Sequence, residues 1–177
     1  QGQLIAGAAL ASPVDVTDTN DELSLKVNGE TTVNLKLTQG TGVSAQALVE
    51  DIQAQLNSNA ALKASGETVQ VSLDSDNKLV FTSGKYGSES NISVDSVEGA
   101  GSFGLSVATG SAGKDIAGTI GGQVARGDGQ VLFLSSDKGP PSGLQVRILG
   151  DQTGSRGSIN FVQGLGKKTV DLVNSFV

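Results

Sequence analysis

The chain reads as a mainly β protein with an α+β module: two small β-rich lobes, one carrying a single amphipathic helix on an antiparallel sheet. Three observations predict this. Short stretches alternate apolar and polar residues with the period of a half-buried strand. Only Ser44 to Leu56 shows a well-bounded helical stripe inside the chain. The 25 glycines punctuate the sequence closely enough for many turns between short strands.

In order, Gln1 to Leu10 is small and apolar and is expected to be either the end of an upstream helix or an edge strand. Pro13 to Val16 reads as extended, and Thr17 to Asp21 as a polar connection. Leu23, Leu25 and Val27 then alternate with Ser24 and Lys26. Asn28-Gly29 follows, suited to a tight two-residue turn because both residues tolerate positive φ. The return strand sets Val33, Leu35 and Leu37 against Thr32, Asn34 and Lys36, and Gln39 to Gly42 breaks the pattern. Ser44 is placed to cap a helix, with Ala45, Leu48, Val49, Ile52 and Leu56 as its buried stripe and Glu50, Asp51, Gln53 and Gln55 facing away. Asn57-Ser58-Asn59 is expected to end it. Strands through Val69–Leu73, Leu79–Phe81 and Ile92–Val94 complete a ββαβββ module over residues 21–107, with Asp74 to Asn77 turning between the first two. A helix across an antiparallel sheet buries both apolar faces.

From Lys114 the texture changes to short strands bounded by Gly or Pro: Ile116–Ile120, Gln130–Leu134, Leu144–Leu149 and Ser158–Val162. Val131 to Leu134 is apolar on both faces and is expected to be central, with Pro140-Pro141-Ser142-Gly143 as a firm break. These residues predict a second, all-β lobe made of 1–20 plus 108–164, packed through Val131, Phe133, Ile148 and Phe161. The closing residues carry Leu165, Thr169, Leu172, Val173 and Phe176 on one helical face, the start of a further helix over 165–177.

Composition excludes several functions. The chain has no Cys, His or Met, so disulfide frameworks, thiolate metal sites, Ser-His-Asp triads and Cys-His dyads are absent from its chemistry. No nucleophile stands beside a base, so no catalytic residue, cofactor-binding residue or metal ligand is assigned, and the chain reads as a non-enzyme. No apolar run approaches the roughly 20 residues of a membrane helix. Residues 1–98 carry five Lys and Arg against thirteen Asp and Glu, whereas 99–177 carry seven against five. That acidic first half disfavours a nucleic-acid partner. A chain beginning at Gln1 without Met reads as an internal fragment, with no signal peptide in it.

Four motifs resolve to structure. Gly99 to Gly104 spells G-x-G-x-x-G, but no helical stripe follows it as the dinucleotide fingerprint requires. Arg126-Gly127-Asp128 is expected to be a hairpin turn. Gly164 to Thr169 has Phe161 and Lys168 where a phosphate loop needs Gly and Ser or Thr. Asp74 to Asn77 lacks the Gly and closing Glu of a calcium loop. Glu50 and Asp51 point about 100° apart on the helix and read as solvated surface.

"LSLKVNGETTVNLKL", "LVEDIQAQLN" and "VQVSLDSDNKLVFTSGKYGSESNISV" together resemble the repeat shared by flagellins and flagellar hook-associated proteins. "AGKDIAGTIGGQVARGDGQVLFL" and "GLQVRILGDQTGSRGSINFVQGLGKKTVDLVNSFV" resemble the distal part of the flagellar filament-capping family, hook-associated protein 2. The likeness runs from Asp21 to Val177, with Asp76-Asn77 in place of the family's usual D-G. It implies a central fragment without the terminal stalk helices, from a structural protein exported through the flagellar channel. Such a protein forms a ring-like homo-oligomer at the filament tip and assists flagellin folding and insertion, keeping flagellin from the medium. It implies residues 165–177 as the start of a coiled-coil-like stalk, where the residues alone are equally read as a terminal helix docked on its own domain. Its partners would be other copies and flagellin, with junction proteins or host mucin as further candidates, and neither nucleic acid nor membrane. Two alternatives stand beside it: a flagellin-like or other hook-associated filament or junction subunit, and a surface adhesin binding mucin or carbohydrate. Aromatic poverty counts against the adhesin, since Tyr86 is the only Tyr and there is no Trp.

Overall fold

Strands hold 34 % of the residues and helices 19 % in the computed structural model, which makes the protein mainly β with a small helical component. The structure describes residues 1–99, 101–135, 143–150, 152–160, 162 and 164–176, excepting the side chains of Lys167 and Asp171. The expected Pro140-Pro141-Ser142 break, Phe161 and Val177 lie outside the described residues. The chain divides into two compact units, Gln1–Asp115 and Ile116–Val177.

The first unit is built on β3 (Glu22–Val27) and β4 (Thr31–Lys36), paired antiparallel from Glu22↔Lys36 to Val27↔Thr31. Leu23, Leu25, Val27, Val33, Leu35 and Leu37 are all buried, as the alternation predicts. Val27 faces Thr31, so the connection has three residues rather than two. Within it Glu30 N–H reaches the Val27 carbonyl at 3.1 Å, and Asn28 and Gly29 take φ of 52° and 73°. β3 also pairs with β8 (Ile92–Val97), and β8 with β9 (Ala108–Thr109), giving the order β4-β3-β8-β9.

A second sheet has the order β1-β7-β6, from β1 (Gln3–Ile5), β6 (Val69–Leu73) and β7 (Leu79–Ser83). The N-terminal segment is an edge strand here, not part of the second lobe as residues 1–20 were expected to be. Leu4 lies opposite Phe81, and Leu4, Ala6 and Leu10 are buried in the first unit's core. That burial outweighs any local preference of so short a segment. β2 (Val14–Val16) pairs with β5 (Gly40–Val43), so the glycine-rich break is itself a strand. The unit's boundary falls after Asp115 rather than at 107, because β9 and Gly110 remain bonded to β8; the Gly110 N–H donates to the Ile92 carbonyl at 2.8 Å.

Helix α1 (Ala45–Ser58) is capped by Ser44, whose side chain accepts from Ala47 N–H at 3.2 Å, and buries the five predicted stripe residues. Asn59 both ends α1 and caps a second short helix, α2 (Ala60–Ser65), which the sequence reading did not separate. Around Gly99–Gly104 the described residues hold only a three-residue 3-10 turn, Ser102–Gly104.

The second unit holds one sheet of order β10-β11-β12-β13, from β10 (Gly118–Ile120), β11 (Gln123–Asp128), β12 (Val131–Phe133) and β13 (Gln145–Arg147). β12 is interior, as expected. Its buried face differs from the expectation: Leu132 and Leu134 join Ala125 in the core, with Ile148 packed against them, while Val131 and Phe133 are only partly buried. Arg126, opposite Phe133 in the register, sits over that ring at 5.8 Å from its centre. Ser158 to Asn160 and Val162 form no strand. Helix α3 (Leu165–Asn174) follows.

Candidate functional site

The first unit's most organised polar chemistry lies along the two flanks of α1. At about 100° per residue, Asp51 and Gln55 fall on one side of the buried stripe, and Gln53 and Asn57 on the other. On the first side, Asp51 accepts from Thr38 N–H at 2.9 Å and from the Thr38 hydroxyl at 2.8 Å. Gln55 accepts the Lys36 N–H at 3.0 Å and donates to Asp51 at 3.0 Å. This ties the helix to the end of β4. On the second side, Gln53 accepts the Val71 N–H at 2.9 Å and donates to the Val69 carbonyl at 3.1 Å and to Asn57 at 2.9 Å. This ties the helix to the edge of β6.

The expectation that Asp51, Gln53 and Gln55 merely face away is therefore corrected. They border the stripe, where side chains reach the backbone of the sheets beneath. Their sequence signal was the two polar i,i+4 pairs flanking the apolar positions. Glu50 does behave as outer surface, exposed and accepting from Gln46 at 3.0 Å, one turn earlier.

Asn28 forms a second organised point. Its side chain donates to Glu67 at 2.6 Å and accepts from the Ser83 hydroxyl at 3.0 Å and from Asn91 N–H at 3.2 Å. The residue that makes the turn geometrically possible therefore also joins β7, the start of β8 and the end of α2.

At the other end of β3, Asp21 is nearly fully buried. One carboxylate oxygen accepts from Gln39 at 2.7 Å; the other lies 3.5 Å from the Lys36 ammonium without a hydrogen bond. Donation from Gln39, then the Lys36 charge, holds the Asp21 carboxyl below its usual range despite its burial. The bond to Glu22 at 3.2 Å, followed by the charge of Asp21, raises the Lys36 ammonium correspondingly. A lysine already occupies this acidic corner. Among the described residues no group of three or more acidic side chains is arranged to hold a metal ion, and no helix is long and apolar enough to cross a membrane.

The other motifs take structural places. Asp74 accepts from Asp76 N–H and Lys78 N–H, both at 2.9 Å, inside a hairpin turn whose Asn77 has φ of 60°. Arg126-Gly127-Asp128 is not the turn expected of it but the end of strand β11. A Cβ at Gly127 would collide with the Ile116 carbonyl oxygen, so glycine is needed there for close backbone passage. Gly164 precedes α3. On α3, Leu165, Leu172 and Val173 are exposed, as is Phe176 just beyond its end, Leu165 and Phe176 by more than four-fifths. In the second unit an open cavity of about 1130 Å³ lies between Ile120, Leu132 and Val146 of the sheet, with the flanking Ile116 and Ile148, and a segment of Gly150 and residues 152–159. Tyr86 is exposed in the loop after β7.

Comparison of the chain with family models, curated proteins and solved structures gave no match.

Proposed function

We propose that this chain belongs to a structural cap at the tip of the bacterial flagellar filament, outside the cell, where it assists flagellin folding and insertion. The observation that carries the reading is the ordered run of segments from Asp21 to Val177 that resembles the filament-capping family. Two features of the molecule support it. The polar flanks of α1 and the Asn28 side chain join sheets, turns and helices, as suits a scaffold. Helix α3, where the resemblance places the beginning of a stalk, leaves its apolar side open for packing against another helix.

Its partners in this reading are further copies in a ring, and flagellin. Deleting the parent gene and measuring flagellin on cells and in the medium tests it. The expected outcome is hooks without filaments, with unpolymerised flagellin in the medium. Normal filaments with loss of surface attachment would overturn the cap reading in favour of an adhesin. Filaments that detach at the hook, with no defect in elongation, would point to a junction subunit.

A further inference from the structure

Strand β6 is the outer strand of the β1-β7-β6 sheet, and its sequence, Val69-Gln-Val-Ser-Leu73, carries no charge. Natural sheets protect such edges with charges, prolines, bulges or a covering element, because unpaired N–H and C=O groups invite a further strand. Along β6 the alternate residues Gln70 and Ser72 lie opposite Thr82 and Val80 of β7. Val69 and Val71 turn their N–H and C=O groups outward, and two of these four groups meet one side chain. The Gln53 carboxamide takes the Val71 N–H and gives a hydrogen to the Val69 carbonyl.

That is the pair of bonds a residue of a neighbouring parallel strand would make, accepting from one backbone group and donating to the group two residues earlier. The second hydrogen of the same amide goes to Asn57, one turn along α1, which fixes which end of the amide faces Val71. An open depression of about 410 Å³ lies at the start of β6, lined by Gln53, Asn57, Val69 and Gln70 and, across the sheet, by Thr82 and Gln1, so this end of the strand is not closed over.

We propose that Gln53, positioned by Asn57, is an edge guard: it occupies two of the outward hydrogen-bonding positions along β6, the Val71 N–H among them, that the β6 strand of a second copy would otherwise take. With the guard removed, two β6 strands meet antiparallel about Val71, each supplying the groups the other lacks, in a self-complementary contact. The absence of charge on β6 leaves little to oppose that pairing. The inference rests on the unit's own hydrogen bonds and stands independently of the flagellar reading.

The test compares Gln53→Ala with Gln46→Ala, an outward-facing change on the same helix. Amide exchange at Val71 and sedimentation equilibrium are measured over a concentration series. At low concentration Gln53→Ala is expected to speed Val71 exchange about tenfold over the control. As concentration rises, it should gain a dimer beyond any association of the control, with Val71 protection returning. Equal Val71 exchange in the two variants, or faster exchange with no added association, would overturn the proposal. Asn57→Ala provides a second variant that retains the Gln53 side chain and releases only its orientation. It is expected to show the same two changes at smaller amplitude, and is decisive if Gln53→Ala does not fold.

Discussion

The two units solve the problem of covering a sheet in opposite ways. Among the described residues, the first unit buries 24 apolar side chains in one cluster, while the second buries three. Both units have short antiparallel strands, so the difference lies in the cover. In the first, α1 lays its apolar stripe over the strands, and its polar flanks bond the ends or edges of β4 and β6. In the second, the sheet's apolar face borders an open cavity, and α3 leaves its apolar side exposed. Strand alternation alone makes a sheet; a helix registered on both flanks makes a closed core.

The largest expected effect tests the closed core. Phe81 is fully buried on β7, between Leu4 and Val71 in the register. Phe81→Ala should cost about 3–5 kcal/mol, from lost transfer energy and the cavity left behind. Urea unfolding followed by peptide-level hydrogen exchange reads this in the first unit. A loss below about 1 kcal/mol would mean that the cluster is not packed as described. The same deletion in the open unit is Leu132→Ala, expected at about 2 kcal/mol, because Leu132, though buried, sits in a core of three side chains and has fewer neighbours to lose. Phe133→Ala should cost less than Leu132→Ala. The reverse order would put Phe133 inside, on the face opposite to the one described.

How much of this was legible in the sequence follows the same division. Leu23 to Leu37 and the α1 stripe were readable because burial there obeys local periodicity. The N-terminal segment was not, since Leu4 gains its partner only when Phe81 arrives from far along the chain. Arg126-Gly127-Asp128 resembled a turn because it contains glycine, but Gly127 serves a close approach within a strand. Val131 to Leu134 is apolar at every position, so nothing in the alternation favoured the expected Val131 and Phe133 over Leu132 and Leu134, which the small core buries. The flanks of α1 looked like solvated surface because a polar residue bordering a stripe and one opposite it are alike in composition. Only the wheel positions of Asp51, Gln53, Gln55 and Asn57 separate them.

An intermediate effect is expected at Asn28, where turn geometry and side-chain bonding coincide. Asn28→Ala removes three hydrogen bonds and forces alanine into a left-handed conformation, at a cost of about 2 kcal/mol. Asn28→Gly keeps the conformation and loses the bonds, so the difference between the variants separates backbone strain from the side-chain network. Equal stability of the two would assign the cost to the lost bonds with Glu67, Ser83 and Asn91 rather than to φ.

The smallest effect concerns charge at the start of β3 and depends on pH. The folded protein holds the Asp21 carboxyl below its usual range, through Gln39 first and Lys36 second. A depressed carboxyl contributes stability that is fully present above the unfolded-state value and is lost as pH falls through the folded value. Lys36 is largely exposed, so solvent screens its share and the contribution is modest. Asp21→Asn removes the titration while keeping the shape. The stability gap between parent and variant should therefore be widest near neutral pH and shrink as pH falls through and below the usual carboxylate range. A gap that stays constant over that range would mean that Asp21 acts by shape and hydrogen bonding alone. The first unit's edge would then owe its order to the amides of α1 and Gln39 rather than to charge.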